Sequence, residues 1–398
     1  MRAIGVVTGS RADYGIYVPL LRAIAADPSL ELLLYATGAH LSPTFGETVT
    51  LIERDGFRVA ERVEAALASD RPAGIAKAMG LATIGFAQVF SRRRPDLLVL
   101  LGDRFEMHAA AMAAVPFTIP LAHIHGGELT LGAIDEALRH SLTKLSHLHF
   151  TATDAYARRV VQMGEAPWRV AVSGALGLDN VATVPLLSRQ ALENLVGLPL
   201  DPAPVLVTMH PTTLEYESAA RQAEQLCKAL ATVDRPIIFT APNTDTAGYS
   251  IRREIEAFVR RVPRSRLIEN LGTQAYFSLM AVAGAMVGNS SSGIIEAMTF
   301  HLPVINVGTR QEGRLRDVNV IDVGYDAVDI ERGLEQALTP AMRQRLAGRP
   351  NLYGDGRAAE RILAKLRDVP LDSSLLRKVF HDQPSPEGAD WGAARHGG

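Results

Sequence analysis

The sequence predicts an α/β protein made of two Rossmann-like, doubly wound domains that face each other across a cleft. Short apolar runs alternate with longer helical patterns along nearly the whole chain, as in sheets whose strands are joined by helices. Most of these runs lack polar–apolar alternation, which indicates strands buried on both faces, as in parallel sheets. The series is interrupted once, near the middle of the chain, which predicts two domains rather than one.

The predicted strands fall into two series. The first series comprises Ile4 to Thr8, Glu31 to Thr37, Leu97 to Leu101, Leu121 to Ile124, Leu148 to Thr151 and Val170 to Ser173. The second comprises Val205 to Met209, Ile237 to Thr240, Arg266 to Glu269, Ala285 to Gly288, Val304 to Val307 and Val318 to Val323. In such sheets ligands bind beyond the carboxyl ends of the strands. We therefore expect the functional residues directly after the strands.

A proline-rich segment separates the two series. Residues 183–204 contain four prolines, and proline is disfavoured inside a sheet. We place the hinge at residues 176–185, which gives an N-terminal domain over 1–178, a C-terminal domain over 179–368 and a C-terminal tail over 369–398. The tail from about residue 383 is rich in Pro, Gly and Ala, and we expect it to be mobile and without function.

The composition excludes several classes of protein. The 398 residues are 47% hydrophobic and 21% charged, with 41 Lys and Arg against 43 Asp and Glu. A net charge of −2 offers no basic surface for nucleic acid or an anionic membrane. Cys227 is the single cysteine, which excludes an internal disulfide and any multi-cysteine metal site. We expect a soluble cytoplasmic protein, because no apolar run approaches membrane-spanning length and the N-terminus reads as a strand rather than a signal peptide.

Two polar loops follow predicted strands of the first domain. Arg11 lies at the start of a helix after the first strand, where it is either a phosphate clamp or a surface arginine paired with Asp13. Asp103 and Arg104 follow the strand that ends at Leu101. Asp103 could transfer a proton while Arg104 holds a negative leaving group; alternatively, Asp103 caps the next helix.

The densest cluster of chemical groups is the segment HIHGGE with the following GAIDEALRH. His123 and His125 share one face of a strand, and Glu128, Asp135 and Glu136 follow within about one loop. Crowded carboxylates raise one another's pKa, which suits proton transfer near neutral pH. Metal binding is the rival interpretation, but the usual supporting ligand spacing is missing. Glu136 with Arg139 or His140 could instead form a surface pair at helical spacing.

The second domain offers a histidine and a phosphate-binding pattern. His210 ends a strand and is followed by a stiffening proline, so it is a candidate general base. The run GNSSSGIIE places hydroxyls and small residues between a strand and a helix, which favours a diphosphate, and Glu296 could accept both hydroxyls of a ribose. A serine cap with Glu296 completing a capping box is the alternative. Arg310 follows a later strand, and Asn243 lies in a weaker strand-end loop.

These motifs, taken in order, carry a family resemblance. SRADYG, LGDRFE, HIHGGE, GAIDEALRH, HPTT, APNTD, GNSSSGIIE and PVINVGTRQ resemble the hydrolysing UDP-N-acetylglucosamine 2-epimerases of the sialic-acid type, over Met1 to roughly Leu366. The resemblance implies a glycosyltransferase-B-type fold. It also implies a reaction in which a UDP-sugar and water give UDP and the free 2-epimer through a glycal, with N-acetylmannosamine formed from UDP-N-acetylglucosamine. It implies no cofactor, no metal, and a homodimer or homotetramer.

Residues and resemblance together give a predicted site. The predicted catalytic residues are Asp103, His125, Glu128, Asp135, Glu136 and His210. The predicted residues for UDP and sugar are Arg11, Arg104, His40, Arg139, His140, Asn243, Ser290, Ser291, Gly293, Glu296 and Arg310.

One departure concerns the substrate. Many family members have a glutamate where this chain has His125, and HIHGGE is more similar to the subgroup that acts on UDP-2,4-diacetamido-2,4,6-trideoxy sugars for legionaminic acid. UDP-diacetylbacillosamine is therefore the alternative substrate. A non-hydrolysing epimerase, a glycosyltransferase of the same fold and a non-catalytic nucleotide-sugar sensor are the other functions that the sequence leaves open.

Overall fold

Two parallel sheets form the framework of the protein, which confirms the predicted fold class. The computed structural model describes residues 1–42, 46–65, 72–131, 134–242 and 248–383. The strands of the first sheet are β1 Arg2–Thr8, β2 Leu30–Thr37, β3 Val59–Val63, β4 Leu97–Leu101, β5 Leu121–Ile124, β6 Leu148–Thr151 and β7 Val170–Val172. Their order across the sheet is β3-β2-β1-β4-β5-β6-β7, and every pairing is parallel.

The second sheet repeats the same doubly wound plan. Its strands are β8 Val205–Thr208, β9 Ile237–Thr240, β10 Ser265–Ile268, β11 Ala285–Gly288, β12 Val304–Val307 and β13 Val320–Val323. The order is β10-β9-β8-β11-β12-β13, again with parallel pairing. In each sheet the strand order reverses beside the first strand of the series, which is where ligands bind in open α/β sheets.

Helices connect the strands and cover both faces of each sheet. The helices are α1 Arg11–Ala26, α2 Val49–Arg54, α3 Pro72–Arg92, α4 Phe105–Ala114, α5 Ile134–Leu145, α6 Asp154–Gln162, α7 Gly177–Thr183, α8 Arg189–Val196, α9 Ala219–Ala231, α10 Gly248–Arg261, α11 Gly272–Val282, α12 Ser291–Ile295, α13 Ala327–Ala337, α14 Pro340–Leu346, α15 Ala358–Asp368 and α16 Ser373–Leu376. Short 3-10 turns lie at Gly38–Leu41, Val115–Phe117, Pro167–Arg169, Thr213–Ser218 and Ala297–Phe300.

The central strands are buried on both faces, as their uninterrupted apolar sequences predict. In β4 all five residues from Leu97 to Leu101 are buried, and they divide between two apolar clusters, one on each face of the first sheet. The second sheet is covered in the same way. Burying one leucine or valine side chain stabilises the fold by roughly 1.5–3 kcal/mol. The buried central strands therefore hold in place the polar loops that follow them.

The strand β3 has no counterpart among the predicted strands. Val59, Ala60 and Glu61 are half-buried, Arg62 is exposed, and only Val63 is buried. This strand lies at the edge of the sheet, next to β2. An edge strand is not covered on both faces, so its sequence lacks the continuous apolar run that reveals the central strands.

Helix α3 corrects one expectation from the sequence. It has 21 residues and is long and apolar enough, by length and composition, to cross a membrane, so the expectation that no apolar run approaches that length is wrong. A core helix of a soluble protein passes the same test. One side of α3, including Ala82, Phe86 and Phe90, packs into the apolar cluster of the first sheet.

The chain returns to the first sheet after it has completed the second. Helix α15 packs on α1, and its Ile362 and Leu366 belong to the apolar cluster of the first sheet together with Val369 and Leu375. The predicted boundaries at residues 178 and 368 stay predictions. The return of α15 means that two covalent crossings connect the sheets.

Candidate active site

Polar loops meet at the carboxyl edge of the first sheet because β1, β4 and β5 are neighbours. Asp103 follows β4 after Gly102, whose φ of +75° lies in the left-handed region that favours glycine. His125 follows β5 directly. Adjacent parallel strands end at the same edge, so residues more than twenty positions apart in the sequence become neighbours there.

Arg139 of α5 joins these two strand ends. Its guanidinium forms an ion pair with Asp103 and donates to the backbone oxygen of His125 at 2.8 Å and to Thr130 Oγ1 at 2.9 Å. The arginine is only 3% exposed. A planar guanidinium with five donors can serve three acceptors at once. Arg139, predicted to bind substrate, is therefore placed to hold Asp103 and the His125 loop in fixed positions.

His125 and Glu128 form a buried pair. His125 Nδ1 lies 2.5 Å from Glu128 Oε1, and His125 has a φ of +65°, which is rare for a residue other than glycine. Burial alone would raise the pKa of Glu128, but the nearby His125, Arg139 and Arg314 lower it to about 2. The other ring nitrogen, Nε2, is buried and has no hydrogen-bond partner among the described residues. A ligand in the cleft could supply that partner.

Three further residues of α5 were predicted as site residues. Asp135 lies in the first turn, and burial, followed by the charge of Asp103, raises its pKa. Glu136 accepts from the backbone N–H of Thr130 at 2.6 Å and lies 3.0 Å from His140. Glu136 and His140 therefore stabilise the loop that carries Thr130, and Asp135 is the carboxyl group suited to donate a proton.

Arg104 is paired within its own loop. Its guanidinium donates to both carboxylate oxygens of Glu106, at 3.1 and 2.8 Å, and Glu106 is 1% exposed. Burial alone would lower the pKa of Arg104, but the charge of Glu106 raises it above the usual range. The pair keeps about two-fifths of the arginine side chain exposed, which leaves donors for an anion in the cleft.

The loop after β1 is stabilised by internal hydrogen bonds. Asp13 is buried and accepts from the Gly9 N–H at 2.7 Å and from Thr8 Oγ1 at 3.1 Å. His40 contacts Thr8 Oγ1 at 2.9 Å through Nε2 and Thr48 Oγ1 at 2.8 Å through Nδ1. His40 is 0% exposed, so this predicted substrate-binding residue offers no surface to a ligand and instead supports the loop.

The second sheet places His210 beside the serine-rich loop because β8 and β11 are adjacent. The backbone N–H of His210 donates to Asn289 Oδ1, and Asn289 Nδ2 donates to the backbone oxygen of His210, both at 2.8 Å. The backbone oxygen of Asn289 accepts from Arg310 Nη1 at 3.0 Å and from Gln311 Nε2 at 2.9 Å. Burial, and secondly the charge of Arg310, lowers the pKa of His210 to about 4, so its ring is neutral at pH 7.

The predicted phosphate loop begins α12. Ser290 is the N-cap and accepts from the Ser292 N–H at 3.4 Å, while its hydroxyl lies 2.9 Å from that of Ser292. Ser290 and Ser291 are half-buried. Gly293 is buried, and a Cβ there would lie 2.9 Å from Val304 Cγ1. Gly293 therefore allows α12 to pack on β12, which differs from its predicted contact with substrate.

Arg11 and Glu296 line the same cavity of about 400 Å³, together with Gly15, Gly177, Asn180 and Phe277. The guanidinium of Arg11 is exposed and lies 3.4 Å from Asn270. Burial raises the pKa of Glu296 to about 7. The structure thus brings together one predicted residue from each half of the chain in a cavity between the two sheets.

The remaining predictions concern a metal and Asn243. In the part of the chain that the structure describes, no group of three His, Cys, Asp or Glu side chains could hold a metal ion. Asn243 lies outside the described residues.

Three residues in this network were missed by sequence reasoning. Glu106, Asn289 and Gln311 are 1%, 0% and 2% exposed, and each makes its polar contacts with residues of the site. All three lie inside motifs already singled out. The available signal was their position one to three residues from a candidate, but a contact such as Gln311 with Asn289 depends on the order of strands in the sheet.

Comparisons with known proteins agree on one family. A family model described as UDP-N-acetylglucosamine 2-epimerase matches residues 22–367. A Legionella pneumophila protein named UDP-N,N'-diacetylbacillosamine 2-epimerase (hydrolyzing) is 39% identical over 95% of this chain and 99% of its own length. A Campylobacter jejuni protein named GDP/UDP-N,N'-diacetylbacillosamine 2-epimerase (hydrolyzing) is 38% identical over 96% of this chain and 99% of its own length.

A solved structure has the same fold. The UDP-GlcNAc 2-epimerase of Neisseria meningitidis, in a crystal structure with UDP-GlcNAc bound, has a TM-score of 0.79 and 17% identity, covering 92% of this chain and 99% of its own. At that identity the similarity shows the fold.

Proposed function

The chain belongs to the UDP-N-acetylglucosamine 2-epimerase family, and we propose that it catalyses the hydrolysing reaction on a UDP-2-acetamido sugar. The protein is an enzyme of this family. In the proposed reaction the C2 proton is removed and the bond between C1 and the UDP oxygen breaks, which gives a glycal and UDP. Water then adds its hydroxyl to C1 while a proton returns to the opposite face of C2. The products are UDP and the free 2-epimer.

The single observation that carries the proposal is the pair of unlike carboxyl groups at the edge of the first sheet. Asp103 is ion-paired with Arg139, which presents a carboxylate as a proton acceptor. Asp135 has its pKa raised by burial and by the charge of Asp103, which favours a protonated carboxyl group as donor. A carboxylate that can accept a proton beside a carboxyl group that can donate one suits an elimination followed by an addition.

His125 and Glu128 provide a second acid–base unit. With Glu128 as a carboxylate on Nδ1, the free Nε2 can exchange a proton with a ligand. We assign this unit to the position where many members of the family carry a glutamate. Glu136 is assigned a supporting role, because both of its carboxylate oxygens are used inside the protein.

The second domain supplies the seat for the departing UDP. Arg310 and the hydroxyls of Ser290 and Ser291 provide positive charge and donors for a diphosphate. His210 is neutral in the free protein because of burial and the charge of Arg310. A bound diphosphate carries the opposite charge and raises the histidine pKa. His210 is therefore assigned as a donor to the leaving phosphate oxygen rather than as the base that takes the C2 proton.

Two sugars are candidates for the substrate. The relatives at 38–39% identity carry names that specify N,N'-diacetylbacillosamine, whereas the family description specifies N-acetylglucosamine. The motif HIHGGE, which contains His125, is more similar to the subgroup that acts on the diacetamido sugars. We therefore propose the UDP-2,4-diacetamido-2,4,6-trideoxy sugar as the preferred substrate and UDP-N-acetylglucosamine as the second candidate.

Exposed apolar side chains support a homodimer. Leu81 and Ile84 of α3 are 45% and 58% exposed, and Met112 of α4 and the adjoining Val115 are 47% and 48% exposed. Since α3 packs beside α4, a second copy could cover exposed apolar side chains of both helices. Light scattering of purified protein, compared with Ile84→Lys, tests this assembly. We also propose that the protein is located in the cytoplasm.

The test of the reaction is an assay in D2O without added metal. UDP release from both sugars is measured, and the free product is examined for deuterium at C2. We expect UDP release, one deuterium at C2, a higher kcat/KM for the diacetamido sugar, and loss of turnover in Asp103→Asn. GDP-linked sugar tests the nucleotide. UDP release with hydrogen retained at C2 would contradict the elimination. An acceptor-dependent product would indicate a glycosyltransferase, a UDP-linked epimer a non-hydrolysing epimerase, and binding without turnover a sensor.

A further inference from the structure

The end of the described chain is fastened to the first domain. We call residues 372–381 the C-terminal strap. Arg169, which is 3% exposed, donates to the backbone oxygens of Leu375 at 2.8 Å, Ser374 at 3.0 Å and Arg377 at 3.2 Å. Further along, the backbone N–H of His381 donates to the backbone oxygen of Gly164 at 2.9 Å. A buried guanidinium bound to three carbonyls fixes the path of this segment.

Lys378 of the strap reaches the C-terminal end of α5. Its Nζ donates to the backbone oxygens of Lys144 at 2.5 Å and Ser146 at 2.7 Å, and lies 3.4 Å from that of Thr143. The last carbonyls of a helix lack partners within the helix and carry the negative end of its dipole. The ammonium of Lys378 therefore donates hydrogen bonds to these carbonyls and places a positive charge at the negative end of the helix dipole.

The same ammonium lies 2.8 Å from Glu165 Oε1. Glu165 is 0% exposed and is also bonded to Lys144 Nζ at 2.6 Å and His149 Nε2 at 3.0 Å. Removing one partner of a buried carboxylate costs more than removing a surface ion pair. Lys378 thus connects the strap to the helix through an ion pair with a buried carboxylate, and water cannot easily take the place of the ammonium there.

Helix α5 carries Asp135 near its other end and Arg139 near its middle. Asp135 lies in its first turn, and Arg139 holds both Asp103 and the backbone of His125. A helix of 12 residues is about 18 Å long, and its backbone hydrogen bonds connect each turn to the next. A shift at the Lys378 end therefore displaces the carboxyl groups at the other end.

We propose that Lys378 is a positioning residue for the reaction, which fixes α5 so that Asp135 and the Arg139–Asp103 pair stand in reacting geometry. The inference rests on the proposed function. It assigns a role to a residue of the predicted tail over 369–398, before the segment from about residue 383 that the sequence predicted to be mobile and without function. Lys378 acts through α5 and does not contact the substrate.

The test compares Lys378→Met with Arg377→Met, which removes the same charge from an exposed neighbouring side chain. We expect Lys378→Met to lower kcat about 10- to 100-fold, as small misplacements of catalytic groups do, with the Kd for UDP within about 2-fold of the wild type because UDP is bound mainly by the second domain. Arg377→Met should leave both unchanged, and Lys378→Arg should restore most of kcat. Assays run well below each variant's Tm.

Amide hydrogen exchange gives a readout that does not depend on activity. Faster exchange over residues 134–145 is expected in Lys378→Met relative to Arg377→Met. If the wild type turns over no UDP-sugar, the proposed function fails while exchange still tests the strap. Unchanged kcat in Lys378→Met, or unchanged exchange over α5, overturns the inference. If Lys378→Met does not fold, Lys378→Gln replaces it under the same criteria.

Discussion

The side-chain amide of Asn289 forms two hydrogen bonds of 2.8 Å with the backbone of His210, one accepted from its N–H and one donated to its oxygen. The residue before it, Gly288, makes this approach possible. Its φ is +133°, and a Cβ there would lie 2.0 Å from the oxygen of Thr208. The ends of β8 and β11 therefore come close enough for one buried side-chain amide to position the histidine loop. The backbone oxygen of Asn289 accepts hydrogen bonds from Arg310 and Gln311.

Replacing Asn289 by alanine should reduce kcat/KM about 10- to 100-fold, because the His210 loop loses both of its hydrogen bonds to the amide. Steady-state kinetics on a UDP-2-acetamido sugar measures the effect. The matched control is Asn319→Ala, which removes another fully buried asparagine, bonded to the oxygen of Leu302. Equal losses in the two variants would show that Asn289 matters only for stability.

Arg139→Lys should lower kcat by roughly 100-fold or more, although the charge is kept. A lysine ammonium cannot reproduce the planar guanidinium that bonds Asp103, Thr130 and the backbone of His125 together. Turnover of the folded variant is measured beside Arg158→Lys, whose side chain is exposed on α6. Near wild-type turnover in Arg139→Lys would mean that the geometry of this network is not needed for the reaction.

The affinity for UDP should rise as the pH rises through about 7. The pKa of Glu296 is raised to about 7 by burial, and the ionised form accepts hydrogen bonds from a ribose better than the protonated form does. Calorimetric titration with UDP between pH 6 and pH 8 measures it, and Glu296→Gln should flatten the dependence. A pH profile that is the same in the variant would remove Glu296 from the ribose site.

Glu296 also makes the stability of the folded protein depend on pH, but stability falls as the pH rises. Since its pKa is higher in the folded protein than in the unfolded chain, the folded state binds more protons between pH 4.5 and about 7. The contribution of Glu296 to stability is therefore present below pH 4.5 and lost as the pH rises through about 7. The free energy of unfolding of Glu296→Gln, relative to that of the wild type, should therefore be higher at pH 8 than at pH 5. Urea unfolding at the two pH values measures this difference.

Acid should destabilise the first domain through His123. This histidine is 0% exposed, lies 2.7 Å from the oxygen of Gly102, and has its pKa lowered to about 3 by burial. Between pH 6.5 and about 3 the unfolded chain binds a proton that the folded protein does not. Stability should therefore fall with falling pH by up to about 1.4 kcal/mol per pH unit from this group. Urea unfolding at pH 7 and pH 5 measures the slope, which should be smaller in His123→Gln.

Much of the architecture follows from local sequence. The runs Leu97–Leu101, Leu121–Ile124 and Ala285–Gly288 form strands at the predicted residues, because continuous apolar runs are typical of strands buried on both faces. The polar residues directly after them, such as Asp103 and His125, reach the cleft because parallel strands end at one edge. The edge strand β3 was missed because its polar residues face solvent.

What the sequence determined by itself was the order of strands and helices, the two sheets they form and the loops in which chemistry can take place, since each depends on patterns within a few residues. Only the tertiary structure decided which loop residues face the cleft. His40 is turned inward to Thr8 and Thr48, and Lys378 returns over more than two hundred residues to the end of α5. Such contacts are set by sheet order and by the path of the chain back to the first domain, and neither leaves a periodic signal in the local sequence.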